Sequence, residues 1–414
     1  MLLSRSNQHD ATDSHSVTTV VSGGAYADRM GVWDELTGQP EAIAIFEAAA
    51  SASSFGGSDN SSMTHSWLIT GPPGSGRSNL AYAFATALLS TGDPQSDEAT
   101  RRQVNARSHP DLGVLATERV IISIEEVRTL LATSYYSPSV GRYRVMVIED
   151  ADRMTERTSN LLLKALEEPP PRTVWILCAP SEADLIPTIR SRVRSVRLRV
   201  PSVDEVASLI AKRDSVDLPT ATRAAREAQS HIGMAHRLAT NEDARARRER
   251  TLHIALGIRS VSSAIVAAGS LLELASEDAK AITAERDAEE RESALKSLGV
   301  EAGGTIPPAL RAQLKNLEED QKRRATRSLR DGIDRIMVDL LSLYRDVLLM
   351  QLGVESEPIN LSIFSDLTRA AESSTPQETL ATMDAIATAR RRIESNVTPA
   401  LALEAMLMSA RRRG

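Results

Sequence analysis

Two patterns of apolar and polar positions divide this chain. Up to about residue 200, short solid apolar runs alternate with segments whose apolar residues recur at helical spacing. Beyond that point nearly everything has helical period, with Ala, Leu, Arg and Glu dominant. "SWLIT" (66–70), the apolar part of "RYRVMVIEDADRM" (142–154) and "TVWILCAP" (173–180) are runs of the length and composition expected of buried strands. Between and around them, "EAIAIFEAAASA" (41–52), "SNLAYAFATALLS" (78–90), "IEEVRTLLATSYY" (124–136) and "ERTSNLLLKALEEPPP" (156–171) read as helices, the last stopped by three prolines. Strands alternating with helices predict an α/β unit, a parallel sheet covered on both faces. "SFGGSDNSSMTH" (54–65) reads as a flexible loop and 91–111 as a polar stretch.

The pattern predicts a polar, Ser/Thr-rich, disordered tail over 1–29 and an α/β domain over 30–200. A small all-α domain over 201–250 and a larger all-α domain over 251–414 follow. In the last, two highly charged helices, 277–296 and 310–344, flank the turn "GVEAGGTIPP" (299–308), which predicts a helical hairpin at about 277–344. Its simplest reading is a solvated antiparallel pair. A length of 414 residues suffices for two or three separate cores. The aromatic content of 3% fits a helix-rich chain better than a strand-rich one.

Charge and cysteine content narrow the function. A net charge of −6 argues against a protein that coats nucleic acid unaided. The single Cys178 excludes a disulfide framework and a cysteine-rich zinc site. No apolar run reaches the length of a membrane span, and the first residues carry no apolar segment of signal-peptide length, so a cytoplasmic location without membrane contact is expected.

The first candidate chemistry is "GPPGSGRSNL" (71–80), which matches the phosphate-loop pattern G-x-x-x-x-G-K-[ST] at Gly71, Gly76 and Ser78, with Gly74 inside the loop. Such glycines let backbone N–H groups converge on phosphate oxygens at a helix N-terminus, and Ser78 is the hydroxyl that would hold Mg²⁺. The lysine position is Arg77. Its planar, diffuse charge cannot simply replace a compact ammonium on the β- and γ-phosphates. The chain has six lysines against 43 arginines, so a general drift towards arginine accounts for part of this.

The second candidate is "VMVIEDAD" (145–152), a strand ending in Glu149 and Asp150. The order is the reverse of the Asp–Glu pair that holds Mg²⁺ and polarises water. Acids that cap the next helix are an equal reading. Hydrolysis at this loop is therefore not expected. Whether ATP with Mg²⁺ sits there weakly is left open, and no cofactor is required.

The third is "NLLLKALEEPP" (160–170) with "LIPTIRSRVRS" (185–195). Together with "WDELTGQPEAI" (33–43) and "SHPDL" (108–112), these segments resemble the clamp-loader branch of AAA+ proteins over about residues 31–200. Ser191 and Arg192 stand at that family's Ser-Arg pair, with Val193 in place of the usual cysteine. Within the family, the degenerate loop and the "VIEDAD" strand resemble the bacterial delta-prime type of DNA polymerase III. The resemblance implies a AAA+ α/β domain, a helical lid and a helical collar. It implies a largely non-hydrolysing subunit in a hetero-pentamer with ATPase subunits and a delta subunit, acting on a sliding clamp and on primed DNA in replication. It implies that Arg192, with Ser191, is an arginine finger acting in trans.

Three departures fit that type. Ala179, Pro180 and Ser181 stand where ATPases of the family sense the γ-phosphate with Thr. Gly233, with Arg237 a turn later, stands where they place a nucleotide-touching arginine. Residues 91–110 lack the four cysteines with which many relatives hold zinc, so no zinc is expected. An active motor subunit of the gamma/tau kind, and a AAA+-derived scaffold outside replication, remain as alternatives. Arg101, Arg102 and Arg107 are candidate phosphate contacts, a solvated face being the simpler reading.

Overall fold

A computed structural model describes residues 30–33, 36–52, 63–117, 121–297, 308–395 and 397–410. The expected tail over 1–29, most of the loop at 54–65 and all but the last residue of the turn at 299–308 lie outside the described residues. After α1 (Met30–Trp33) and α2 (Pro40–Ala52), the chain enters an alternating α/β unit. It runs β1 (Ser66–Thr70), α3 (Arg77–Leu89), α4 (Pro94–Asn105), β2 (Leu112–Leu115), α5 (Ile124–Ser134), β3 (Arg144–Ile148), α6 (Glu156–Glu167), β4 (Thr173–Ala179), α7 (Pro187–Arg190) and β5 (Arg194–Arg197).

The five strands are all parallel, in the order β2-β3-β4-β1-β5. β1 and β3 thus both end at the same edge of the sheet, one strand apart. That brings the glycine loop and the acids of 149–150 together at the carboxyl ends of the strands, where open parallel sheets place their ligand crevice.

The two faces of the sheet read directly from strand period. On β1, Trp67 and Ile69 point into one core and Leu68 into the other. Phe46, Trp67 and Phe84 meet on the first face with ring centroids 4.6–5.5 Å apart, so three of the chain's few aromatics hold α2, β1 and α3 together. β5 is an edge strand in which only Val196 is buried, and its exposed arginines discourage further pairing.

Three helices, α8 (Val203–Asp214), α9 (Leu218–Glu227) and α10 (Ile232–Thr240), pack around Val206, Ile210, Ala221, Ala225 and Ala235. α11 (Glu242–Leu256) leads out of that core: Ala244 belongs to it, whereas Leu252 belongs to the next one. The C-terminal helices are α12 (Val261–Ser297), α13 (Pro308–Gln351), α14 (Phe364–Glu372), α15 (Pro376–Glu394) and α16 (Pro399–Ser409). Their core gathers Leu271, Ile333, Leu340, Leu343, Leu367 and Leu403.

The charged hairpin is the outer part of α12 and α13, helices of 37 and 44 residues. It is not wholly solvated. Arg324 of α13 pairs with Asp287 of α12 at 2.5 Å, and further along α13 the helix touches the α/β unit.

Candidate functional site

The glycine loop leaves β1 and enters α3 with Gly74 and Gly76 at φ +80° and +92°, which side chains rarely adopt. Gln39, from the quoted "TGQ", holds the loop from behind. Its amide donates to the carbonyl of Arg199 at 2.8 Å and accepts from the Arg199 N–H at 3.1 Å, and also reaches the Ser75 carbonyl at 3.4 Å. Behind β4, the Pro180 carbonyl accepts from the Gly71 N–H at 3.2 Å. The phosphate-loop shape is therefore built and braced.

The groups that would serve a nucleotide are spent on the chain itself. Arg77 Nη1 donates to the carbonyl of Gly71, folding the guanidinium back onto its own loop. The Ser78 hydroxyl donates to Glu149 at 3.3 Å. Glu149 also accepts from the Tyr82 hydroxyl at 2.5 Å and pairs with Arg107 at 2.7 Å, while the Arg107 guanidinium stacks 5.5 Å from the Tyr82 ring centroid. Burial, then the Glu149 charge, drives the Tyr82 phenol well above its usual pKa, so it stays a donor. Arg107 is thus a partner of Glu149; Arg102 lies along α4 near Glu98 at 4.0 Å.

Asp150 faces the other way. It stands at the N-cap of a short 3-10 turn, Ala151–Arg153, without a side-chain capping bond. The capping alternative therefore does not describe Asp150. Its carboxylate instead pairs with Arg327 of α13 at 2.8 Å and with Arg153 at 3.7 Å. Arg327 also donates to the carbonyl of Thr117, so one side chain of the C-terminal domain bridges two points at the end of the sheet.

The small helical domain closes over the loop. The Ile232 N–H donates to the Gly74 carbonyl at 3.3 Å, and the His231 ring lies so close that a Cβ on Gly74 would meet its Cγ at 2.2 Å. His231 caps α10 by accepting from the Met234 N–H through Nδ1 at 3.2 Å. Burial, then the charges of Arg335 and Arg77, lower its pKa to about 4. His231 was not singled out from the sequence; its one local signal is its position immediately before an amphipathic helix. Gly233 sits beside the same ring, and Arg237 points away, bound by both nitrogens to Asp278 of α12 at 2.5–2.6 Å.

Mg²⁺-ATP does not fit this arrangement: the hydroxyl and both acids that would hold the metal are bonded to protein groups, and Arg77 to its own loop. Among the described residues no cluster of His, Cys, Asp and Glu is arranged to hold a metal ion, and no helix is long and apolar enough to cross a membrane.

Ser191 and Arg192 lie just after α7, away from the loop of their own chain. Arg192 is about one-third exposed and folded back. Its Nε donates to Glu167 at 2.5 Å and its Nη1 to the Thr188 carbonyl at 2.7 Å and the Ser191 hydroxyl at 2.9 Å. The sheet therefore gathers Gly71, Gly74, Gly76, Arg77, Ser78, Glu149 and Asp150 in one place, and Ser191 and Arg192 in another.

Residues 54–202 match the family model described as "DNA polymerase III, delta subunit". Over 134 residues the chain is 33% identical to the delta-prime subunit of DNA polymerase III from Pseudomonas aeruginosa, covering 31% of this chain and 41% of that protein. Over 152 residues it is 30% identical to the gamma subunit from Buchnera aphidicola, covering 35% and 41%. A solved gamma subunit-related protein from Thermotoga maritima aligns over 88% of this chain and 98% of its own, with 18% identity and a TM-score of 0.41. The chain spans about two fifths of the length of the delta-prime and gamma relatives it matches. Over residues 54–202, the stretch that holds the five-stranded parallel sheet and the braced phosphate loop, the chain is thus similar to the delta-prime and gamma subunits of DNA polymerase III.

Proposed function

We propose that this chain is a delta-prime-type clamp-loader subunit that does not hydrolyse ATP itself and acts on the nucleotide site of a neighbouring subunit. The observation that carries the reading is the internal pairing of both strand-end acids, Glu149 with Arg107 and Asp150 with Arg327. Hydrolysis needs one carboxylate free for the metal and one free to orient water, and a guanidinium on each removes both. The neighbours are ATPase subunits and a delta subunit in a hetero-pentamer, which loads a sliding clamp on primed DNA.

In this reading Arg192 is the arginine finger, seated by Ser191. It stabilises charge on a phosphoryl group held by the neighbour, a contribution of about 10³–10⁵ in rate in the strongest cases. To reach out it must leave Glu167, an exposed pair of the kind that is worth about 0.2–1 kcal/mol. So small a cost is easily met by a triphosphate.

The test is ATPase activity of the reconstituted loader with clamp and primed DNA. Arg192→Ala is expected to lower the complex's rate at least about tenfold, while the isolated chain stays silent. Robust hydrolysis by the isolated chain would favour a gamma-type motor, to which the 30% identity with a gamma subunit also points. An unchanged complex with Arg192→Ala would remove the finger role.

A further inference from the structure

A cavity of about 1000 Å³ lies between the glycine loop, the start of α10 and the middle of α13. Acids and arginines both line it, and most of them are matched. Asp150 takes Arg327 and Arg153, and Asp334 takes Arg390 through two bonds of 2.7 and 3.0 Å. Two arginines, Arg77 and Arg335, are left without a carboxylate at ion-pair distance among the described residues, and an acid, Asp152, is left without a cation, its pKa pushed up first by burial. Arg77 makes its one hydrogen bond to a backbone carbonyl. Arg335 is largely buried, and among the described residues neither Asp334 nor Asp339 comes within ion-pair distance of it, the latter being held by Arg248 at 3.2 Å.

A mostly buried guanidinium without a carboxylate is an expensive arrangement unless an anion completes it. His231 adds an uncharged donor beside them. With Nδ1 accepting from Met234, its neutral ring carries the proton on Nε2 and remains a donor. Both arginine charges bear on that ring.

We propose that this cavity is a metal-independent site for a small phosphate-bearing anion, held by Arg77, Arg335 and His231. It differs from a phosphate-loop nucleotide site in two ways. One of its ligands, Arg335, comes from the C-terminal domain, and the strand-end acid on this side, Asp150, is already held by Arg327 and Arg153. An anion here would tie the loop, the small helical domain and α13 to one another, on the face opposite to Arg107 and Glu149. The proposal does not depend on the role of Arg192.

The experiment uses the full chain in EDTA, with inorganic phosphate, pyrophosphate and ATP as separate probes, followed by calorimetric binding and thermal unfolding. Pyrophosphate is expected to bind without metal and to raise Tm by at least about 2 °C at saturating concentration. Arg335→Ala is expected to weaken that binding about tenfold or more, the usual scale for a charged hydrogen bond, whereas Arg390→Ala, matched to Asp334, leaves it within about twofold. Phosphate binding alone, with loss in Arg335→Ala, supports a smaller occupant of the same site. ATP binding without pyrophosphate binding, an absolute need for Mg²⁺, or affinity unchanged in Arg335→Ala overturns the proposal. So does a chain that takes none of the three probes.

Discussion

Asp111 is fully buried within the segment "SHPDL" and accepts hydrogen bonds from the N–H groups of Ser139, Val140 and Gly141 at 2.6–2.7 Å. It also takes the Ser139 hydroxyl at 2.9 Å and lies 3.4 Å from Arg144. Burial alone would raise its pKa, but these donors together lower it, so the carboxylate stays ionised. Asp111→Ala leaves three amides and a guanidinium uncompensated and is expected to cost about 3–5 kcal/mol in chemical denaturation. His231 gives a pH dependence of known sign. Its pKa is about 4 when folded against 6.5 as a free side chain, so the unfolded chain binds its proton first. The contribution is complete above pH 6.5 and is lost as pH falls from 6.5 towards 4. Tm of the chain is expected to fall over that window with a steeper slope than in His231→Gln.

At the scale of elements, Gly74→Ala tests the closure of the small helical domain on the loop. The new Cβ would stand 2.2 Å from the His231 ring at a φ that L-residues avoid, so His231 must move and the Ile232–Gly74 contact with it. Faster hydrogen exchange across residues 228–240, with that in β1 and β3 unchanged, is the expected outcome. Elements whose signal is local were legible in the sequence. The apolar runs of β1, β3 and β4 and the periods of α3, α5 and α6 sit within a residue or a few of where the pattern put them. β2 and β5 were missed because each is four residues long, and β5 exposes three of its four. α4 was taken for a polar stretch because its helix buries only Thr100 and Val104; its Asp93 cap and Pro94 start are the signal that was there. The glycine loop and its acids were legible as a motif. Their occupation by Arg107, Arg327 and His231 was not, because those partners lie 42, 177 and 157 residues away in sequence and only the fold brings them in.

At the scale of the whole molecule, several sets of charges join the C-terminal helices to the rest, Arg226 on Glu357 at 2.7 Å among them, and two more lie on α12 and α13. One is the Asp278 carboxylate of α12, shared by Arg237 and Arg247. The other is Arg327 on Asp150 and Thr117. Arg327→Ala removes a partly buried ion pair and a charged bond to a carbonyl, together worth about 1–2 kcal/mol. Hydrogen exchange near Thr117 and in the middle of α13 is expected to speed up by about tenfold, with no change around Leu340 and Leu343 in the C-terminal core.

That same α13 is one unbroken rod. Leu340, packed in the C-terminal core, lies 13 residues from Arg327, a distance of about 20 Å along the axis. A tilt of the core by about 5° swings Arg327 by roughly 2 Å, more than its bond to Asp150 survives. The helix works as a lever with its fulcrum in the C-terminal domain and its tip on an acid at the sheet edge. A small rotation of the C-terminal core would thereby be converted into the release or capture of a single carboxylate.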